Sequence, residues 1–218
     1  MGCYKIGELH KLAEGQGYGT AYEYLVKLRL LERFTRGKRI KTVLIYGLPE
    51  KYGLSLDFFY FCQKKGYKAY LLGEKSRTER LNQALDRLEM QRPREANLKH
   101  YDLILSSEYI QNLSNDVRKA CAEKIKKMTG NAIIFVPNRE NKAHAKYTGL
   151  SGLKAEGLAG LFNSDTFGWI DAPFFPPGIK LKQARNSRFL LWLLVAWSWA
   201  EWLLPMRRKL SHICYAIL

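Results

Sequence analysis

The chain has 218 residues, with 36 Lys plus Arg against 20 Asp plus Glu, a formal net charge of +16. Hydrophobic residues make up 47% and charged residues 26%, a balance that excludes a disordered or collagen-like chain and leaves room for one sizeable core with appendages. Four scattered cysteines, Cys3, Cys62, Cys121 and Cys214, form no CxxC pair, which excludes a disulfide framework and a Cys-type zinc site and fits a reducing compartment.

Met1–Ile6 holds no apolar run, so no secretory signal is expected, and Ile6 stands where myristoylation wants Ser or Thr. Basic residues cluster at Lys27–Lys41, Lys124–Lys127, Lys180–Arg188 and Arg207–Lys209. Nucleic acid, an anionic membrane surface or an acidic small molecule would each be attracted, and a solvated basic face with no ligand is the plain alternative.

Residues 1–40 read as an N-terminal helical segment. From Thr20 to Phe34 apolar residues recur at helical spacing with Lys and Arg between them, an amphipathic helix that lies on something else. Residues 41–218 then alternate. Lys41–Tyr46, Tyr67–Leu72, Tyr101–Ser106 and Asn131–Val136 are short apolar runs; Leu54–Lys65, Arg77–Glu89 and Asn115–Met128 are helical stretches between them. Strands separated by helices of about a dozen residues imply right-handed βαβ units on a parallel sheet covered on both faces. Gly149–Phe162 carries a helical pattern weakened by its glycines, Thr166–Asp171 reads as a late strand, and Pro173, Pro176 and Pro177 force a loop. Ser211–Leu218 reads as a last strand with Ile213, Tyr215 and Ile217 on one face.

Phe189–Leu204 is the most hydrophobic window and contains Trp192, Trp197, Trp199 and Trp202. As a helix it would reach about 24 Å, short of the ~30 Å bilayer core. Ser198 and Glu201 lie inside it, and basic residues flank both ends. An interfacial helix with Trp at the headgroup level satisfies these features; a single span and a buried or dimerising helix are the other readings. If Ser211–Leu218 pairs with the sheet, one crossing would leave it on the wrong side of the bilayer.

The turn Val43–Ser55, from an apolar strand through Gly47-Leu48-Pro49 to a helix start, offers backbone N–H groups to a ligand. Together with Tyr101-Asp-Leu-Ile-Leu-Ser-Ser-Glu-Tyr-Ile-Gln-Asn-Leu113 and Ala132-Ile-Ile-Phe-Val-Pro-Asn138, it resembles the class I S-adenosylmethionine-dependent methyltransferases. The resemblance implies an α/β fold: a three-layer Rossmann-like sandwich with a mostly parallel sheet, an antiparallel last strand, and the hydrophobic helix 189–204 inserted before it. It also implies S-adenosylmethionine as cofactor. Gly47 and Gly53 would shape the turn at its methionine end, Ser55 would meet its carboxylate, Glu74 its ribose hydroxyls, and Ser106 and Glu108 would line the site. Ile45 stands where the family carries an acid, Pro49 where it carries a middle glycine, and Gly73 precedes Glu74 where the ribose acid belongs.

Methyl transfer needs in-line placement more than acid–base groups. His144 and Asp171, at sheet edges, are candidate bases, or ordinary loop residues. Asp171-Ala-Pro-Phe174 looks like an amino-methylating motif but follows the wrong strand. The four histidines show no metal spacing, and neither a P-loop nor a GxSxG elbow is present. The expected function is a cytoplasmic methyltransferase of unknown acceptor, placed at the inner face of an anionic membrane by Phe189–Leu204 and its flanking Arg and Lys. A catalytically lapsed scaffold of the same fold and a basic RNA-binding protein are the alternatives.

Overall fold

The computed structural model describes residues 6–12, 18–50, 53–173, 188–204 and 206–218. The readings that fall on Met1–Lys5, on Gly15 and Gly17, on Pro176 and Pro177 and on Lys180–Arg185 lie outside these residues.

Seven strands form one sheet: β1 Thr42–Tyr46, β2 Lys68–Leu72, β3 Arg94–Glu95, β4 Leu103–Ser107, β5 Ala132–Pro137, β6 Thr166–Ile170 and β7 Ile213–Ile217. Their spatial order is β3-β2-β1-β4-β5-β7-β6, and β7 runs antiparallel to both its neighbours. β1 lies between β2 and β4, with Ile45 opposite Leu71 and Leu105. The central strands are buried along most of their length because helices cover both faces. Val43, Ile45, Leu103, Leu105, Ile133 and Phe135 pack towards α2 (Tyr18–Thr35), α3 (Leu56–Lys65) and α4 (Lys75–Arg87). The alternate residues Leu44, Ile104, Ile134 and Val136 pack towards α5 (Asn115–Met128) and α7 (Ala155–Phe162). This is the three-layer Rossmann-like sandwich with its antiparallel last strand.

The N-terminal α1 (Ile6–Leu12) and α2 join the first of those layers; Leu25, Leu28 and Leu31 of α2 are buried in it. Two details differ from the sequence pattern. The short edge strand β3 is exposed and polar, so no apolar run announces it. The stretch from Gly149 does not form one helix: α6 (Lys142–Thr148) ends at Gly149 in a left-handed cap, and α7 begins only at Ala155. Between them a Cβ on Gly152 would sit 2.5 Å from the Pro137 carbonyl oxygen, to which Leu153 N–H donates at 3.0 Å. Tethering this segment to β5 costs it the helix.

At the opposite edge from the candidate site, Asp102 Oδ2 accepts from the backbone N–H of Lys41 and Thr42 at 2.8 Å each, and from the Thr42 hydroxyl at 2.9 Å. Partial burial alone would raise the Asp102 carboxyl; these bonds outweigh it and hold it below the ordinary carboxylate value. Asp102→Ala is expected to lose about 2 kcal/mol in urea denaturation at neutral pH. Because the folded pKa is depressed, the wild-type advantage is present above the unfolded value near ~4 and disappears as pH falls through the folded one.

Candidate active site

The C-terminal ends of β1, β2, β4 and β5 meet at one edge of the sheet. Gly47 leaves β1 with φ 77° and donates its N–H to the Leu72 carbonyl at 2.7 Å, which bends the chain sharply where only glycine is relaxed. A side chain here is excluded for a second reason. A Cβ would lie 2.2 Å from the Tyr109 ring, which rests directly on Gly47. The loop carrying Tyr109 is braced from below by Arg118, whose guanidinium donates to the carbonyls of Ile110, Gln111 and Leu113 at 2.8–3.2 Å.

The expected site residues divide. Gly53 also has positive φ, 71°, and a Cβ there would lie 3.8 Å from the Tyr24 hydroxyl. Ser55 adopts a left-handed conformation (φ 53°) as the residue before α3; it is buried and its Oγ has no hydrogen-bond partner. Glu108, also at positive φ, follows the end of β4 and directly precedes Tyr109. Ser106 is enclosed and donates its hydroxyl to the Tyr46 carbonyl at 2.8 Å, so it ties β4 to β1 instead of lining a site. Glu74 is exposed at the start of α4, where it accepts from Ser76 and pairs with Arg77. Arg77 also bonds the Glu50 carbonyl, which keeps Glu74 beside the turn. Ile45 is wholly buried in the sheet.

A polar cluster outside the expected site residues lies over this edge. Lys27 of α2 is buried, and its ammonium pairs with Glu23 one helical turn earlier and donates to Ser107 Oγ at 2.9 Å. The faces of Phe58 and Phe135 lie 5.9 and 5.6 Å from it. Asp57, in the first turn of α3, is fully buried with neither carboxylate oxygen hydrogen-bonded. Burial, opposed by Lys27 and reinforced by Glu23, pushes its carboxyl up to about 7. Burial and the neighbouring carboxylates of Glu23, Asp171 and Asp57 push Glu108 up to about 8 against the pull of Lys27.

Asp171 and His144 come together through a third residue. Asp171, at φ 64°, follows β6, and its Oδ2 lies 3.1 Å from His212 Nδ1 at the start of β7. His212 stacks on His144 with ring centroids 4.0 Å apart and planes 8° from parallel. Burial opposes charge on His212, but Asp171 outweighs it and raises its pKa; burial and the neighbouring His212 lower His144 to about 4. Asp171 thus favours the protonated form of His212, while His212 disfavours it on the stacked His144 ring. Among the described residues no group of three or more His, Cys, Asp or Glu is placed to hold a metal ion.

Helix α8 (Arg188–Ala200) and the turn Glu201–Leu203 close the far side. Leu194, Ser198 and Glu201 are its inward positions. Ser198 accepts from Arg29, and Glu201 Oε2 accepts from the Tyr22 hydroxyl at 2.6 Å and the Ala172 N–H at 3.0 Å. Trp192, Trp199, Trp202 and Leu203 face outwards, Leu203 84% exposed. Arg29 lies 4.3 Å from the Trp199 ring and Arg207 4.4 Å from that of Trp202. No described helix is long and apolar enough to cross a membrane.

Two sequence signals pointed to the cluster. Lys27 falls three residues after Tyr24 and four before Leu31, on the apolar stripe of its helix, and Asp57 interrupts Leu54–Cys62, a run of apolar residues. A lone charge on a buried face marks a required partner.

No family model matches the sequence, and no curated protein does. Solved structures do. A SAM-dependent methyltransferase from Archaeoglobus fulgidus superposes with a TM-score of 0.55 at 12% identity, over 90% of this chain and 92% of that one. The plantazolicin methyltransferase BamL, solved with a triazolic desmethylPZN analog and SAH, gives 0.50 at 11% identity, over 96% and 97%. At such identity the likeness is one of fold: the chain has the class I methyltransferase fold.

Asp57→Asn tests the electrostatics of the cluster. A carboxyl whose folded pKa is raised favours the folded state below the unfolded pKa and loses that contribution as pH rises through the folded value. The variant is therefore expected to exceed wild type in stability at pH 8, on the order of 2–3 kcal/mol, and to lose that advantage by pH 4, as read by urea denaturation at both pH values.

Proposed function

We propose that this chain, with its class I methyltransferase fold, is an S-adenosylmethionine-dependent methyltransferase. The observation that carries the reading is the buried, unpartnered Ser55 Oγ at the start of α3, next to the Gly47–Gly53 turn. A buried hydroxyl without a partner is costly, and a ligand carboxylate beside the helix N-terminus satisfies it. These residues fit the cofactor at its amino-acid end: Ser55 meets the carboxylate, and the Gly47 turn lets the backbone approach. Glu74 stands beside the turn for the ribose hydroxyls.

When bound, the cofactor supplies an electrophilic methyl group on a sulfonium. The protein's part is placement. α2 covers the strand ends with Lys27 bonded to Ser107, Tyr109 caps Gly47, and the Arg118 brace fixes the loop backbone. The Tyr109 ring fills the space over Gly47, so ligand entry requires that ring to rotate away while its backbone stays fixed. Binding is then weakened by the population of the closed rotamer. The same packing favours a second reading, a scaffold that keeps the fold without the ligand. Titration calorimetry with S-adenosylhomocysteine separates them. Wild type is expected to bind, and Tyr109→Ala to bind about tenfold tighter, roughly 1.4 kcal/mol. Absence of binding in both proteins would establish the scaffold.

We further infer that α8 seats the protein on an anionic membrane surface. Its support is the inverted character of the helix: Ser198 and Glu201 turn inwards and Trp192, Trp199 and Trp202 outwards, beside Arg29, Arg33 and Arg207. Such a face suits the headgroup region, where Trp and Arg are both satisfied. Nucleic acid remains the alternative partner for the basic surface. Sedimentation with vesicles rich in phosphatidylserine is expected to pellet wild type and to leave Trp199→Ser/Leu203→Ser in the supernatant. Equal sedimentation of the two proteins would remove this reading.

A further inference from the structure

In a chain of net charge +16 the candidate active site is where acidic side chains gather. Five carboxyl groups converge there from five segments: Glu23 on α2, Asp57 on α3, Glu108 after β4, Asp171 after β6 and Glu201 after α8. They act on one another: Glu108 feels Glu23, Asp57 and Asp171, while His212 feels Asp171, Glu23 and Glu201. The cation among them is Lys27, with His212 bonded to Asp171 and with Arg29 and Arg207 at the margin.

Hydrogen-bond accounting shows what these partners leave over. Lys27 takes Glu23, His212 takes Asp171 Oδ2, and Tyr22 with the Ala172 N–H takes Glu201 Oε2. Both oxygens of Asp57, Oδ1 of Asp171 and Oε1 of Glu201 have no partner, although Asp57 and Glu201 are wholly buried and Asp171 is 4% exposed. Buried carboxylate oxygens without donors are strongly unfavourable. A ligand that supplied both N–H donors and positive charge would relieve them together. A neutral hydroxyl or thiol acceptor would supply at most one donor and no charge. The faces of Phe58 and Phe135, already turned to the Lys27 ammonium, favour a cation as well.

We propose that the methyl acceptor of this enzyme is a protonated aliphatic amine, gathered by the unpartnered, buried carboxyl of Asp57 on α3 together with Glu108 after β4. The proposal rests on the methyltransferase reading above. The ammonium gives one proton to the Glu108 carboxylate, and the nitrogen lone pair so freed forms the N–C bond to the cofactor's methyl carbon. The C–S bonding pair passes to sulfur. The products are a methylated ammonium and a neutral thioether, with Glu108 protonated. Raised towards neutrality by burial and by its acidic neighbours, Glu108 suits a base that must take a proton near pH 7.

Sinefungin and S-adenosylhomocysteine test this as a pair. Both carry the same amino-acid group, but sinefungin presents an additional ammonium near the position of the transferred methyl. By calorimetry at pH 7.5, wild type is expected to bind sinefungin at least tenfold tighter, with net proton release between buffers of different ionisation enthalpy as the new cation displaces protons from Asp57 and Glu108. Glu108→Gln and Asp57→Asn are each expected to bring the preference within about threefold. If either variant does not fold, the wild-type ratio decides alone. Equal affinity of wild type for the two ligands overturns the amine class and leaves the methyltransferase reading standing. Binding of neither overturns that reading, and the amine acceptor with it.

Discussion

The interaction on which the site depends is the buried ammonium of Lys27. A lysine enclosed by α2, β4, α3 and β5 cannot stay charged without oxygen partners, and Glu23 and Ser107 supply them. Because Ser107 ends β4, the bond fixes the N-terminal helix over the strand ends, where ligands of open α/β sheets bind. Burial pulls the Lys27 pKa down, but Glu23, Asp57 and Glu108 reverse the direction, so the cation is held by acids drawn from three segments. Glu23 also raises Asp57, and Glu23 and Asp57 both raise Glu108.

Tyr109 is the second constraint. Gly47 is needed for the turn, and its missing side chain also makes room for an aromatic ring. The bend is filled by the ring, in the space that the proposed ligand would take. Its rigid part is the backbone held by Arg118; its movable part is a side-chain rotation, which is fast and inexpensive.

Helix α8 reverses the usual pattern for a helix on a globular core. Its buried polar residues are held by Arg29, Tyr22 and Ala172, with Glu201 Oε1 left over, and Trp192, Trp199 and Trp202 lie on the outer surface. Ser198 and Glu201 would be costly in a bilayer, yet inside the protein they are the anchors of the helix. One sequence window thus holds two faces of opposite purpose, which hydropathy averaged along the chain cannot separate.

Local periodicity determined the sheet. The apolar runs Lys41–Tyr46, Tyr101–Ser106 and Asn131–Val136, and the helices between them, required a parallel core covered on both faces, and the resemblance to the methyltransferase family implied the antiparallel end. Gly47 and Gly53 were legible as turn residues because positive φ is a local property. The polar strand β3 and the break around Gly152 were not, since one has no apolar signature and the other is imposed by the Pro137 carbonyl. What only the tertiary structure decided is who meets whom at the strand ends: Lys27 with Ser107 across 80 positions, Tyr22 with Glu201 across 179, Asp171 with His212 across 41. Periodicity fixes which side of its own element a residue occupies; the partner across the gap depends on how whole layers pack, and a charged side chain takes the partner that packing brings within a hydrogen bond.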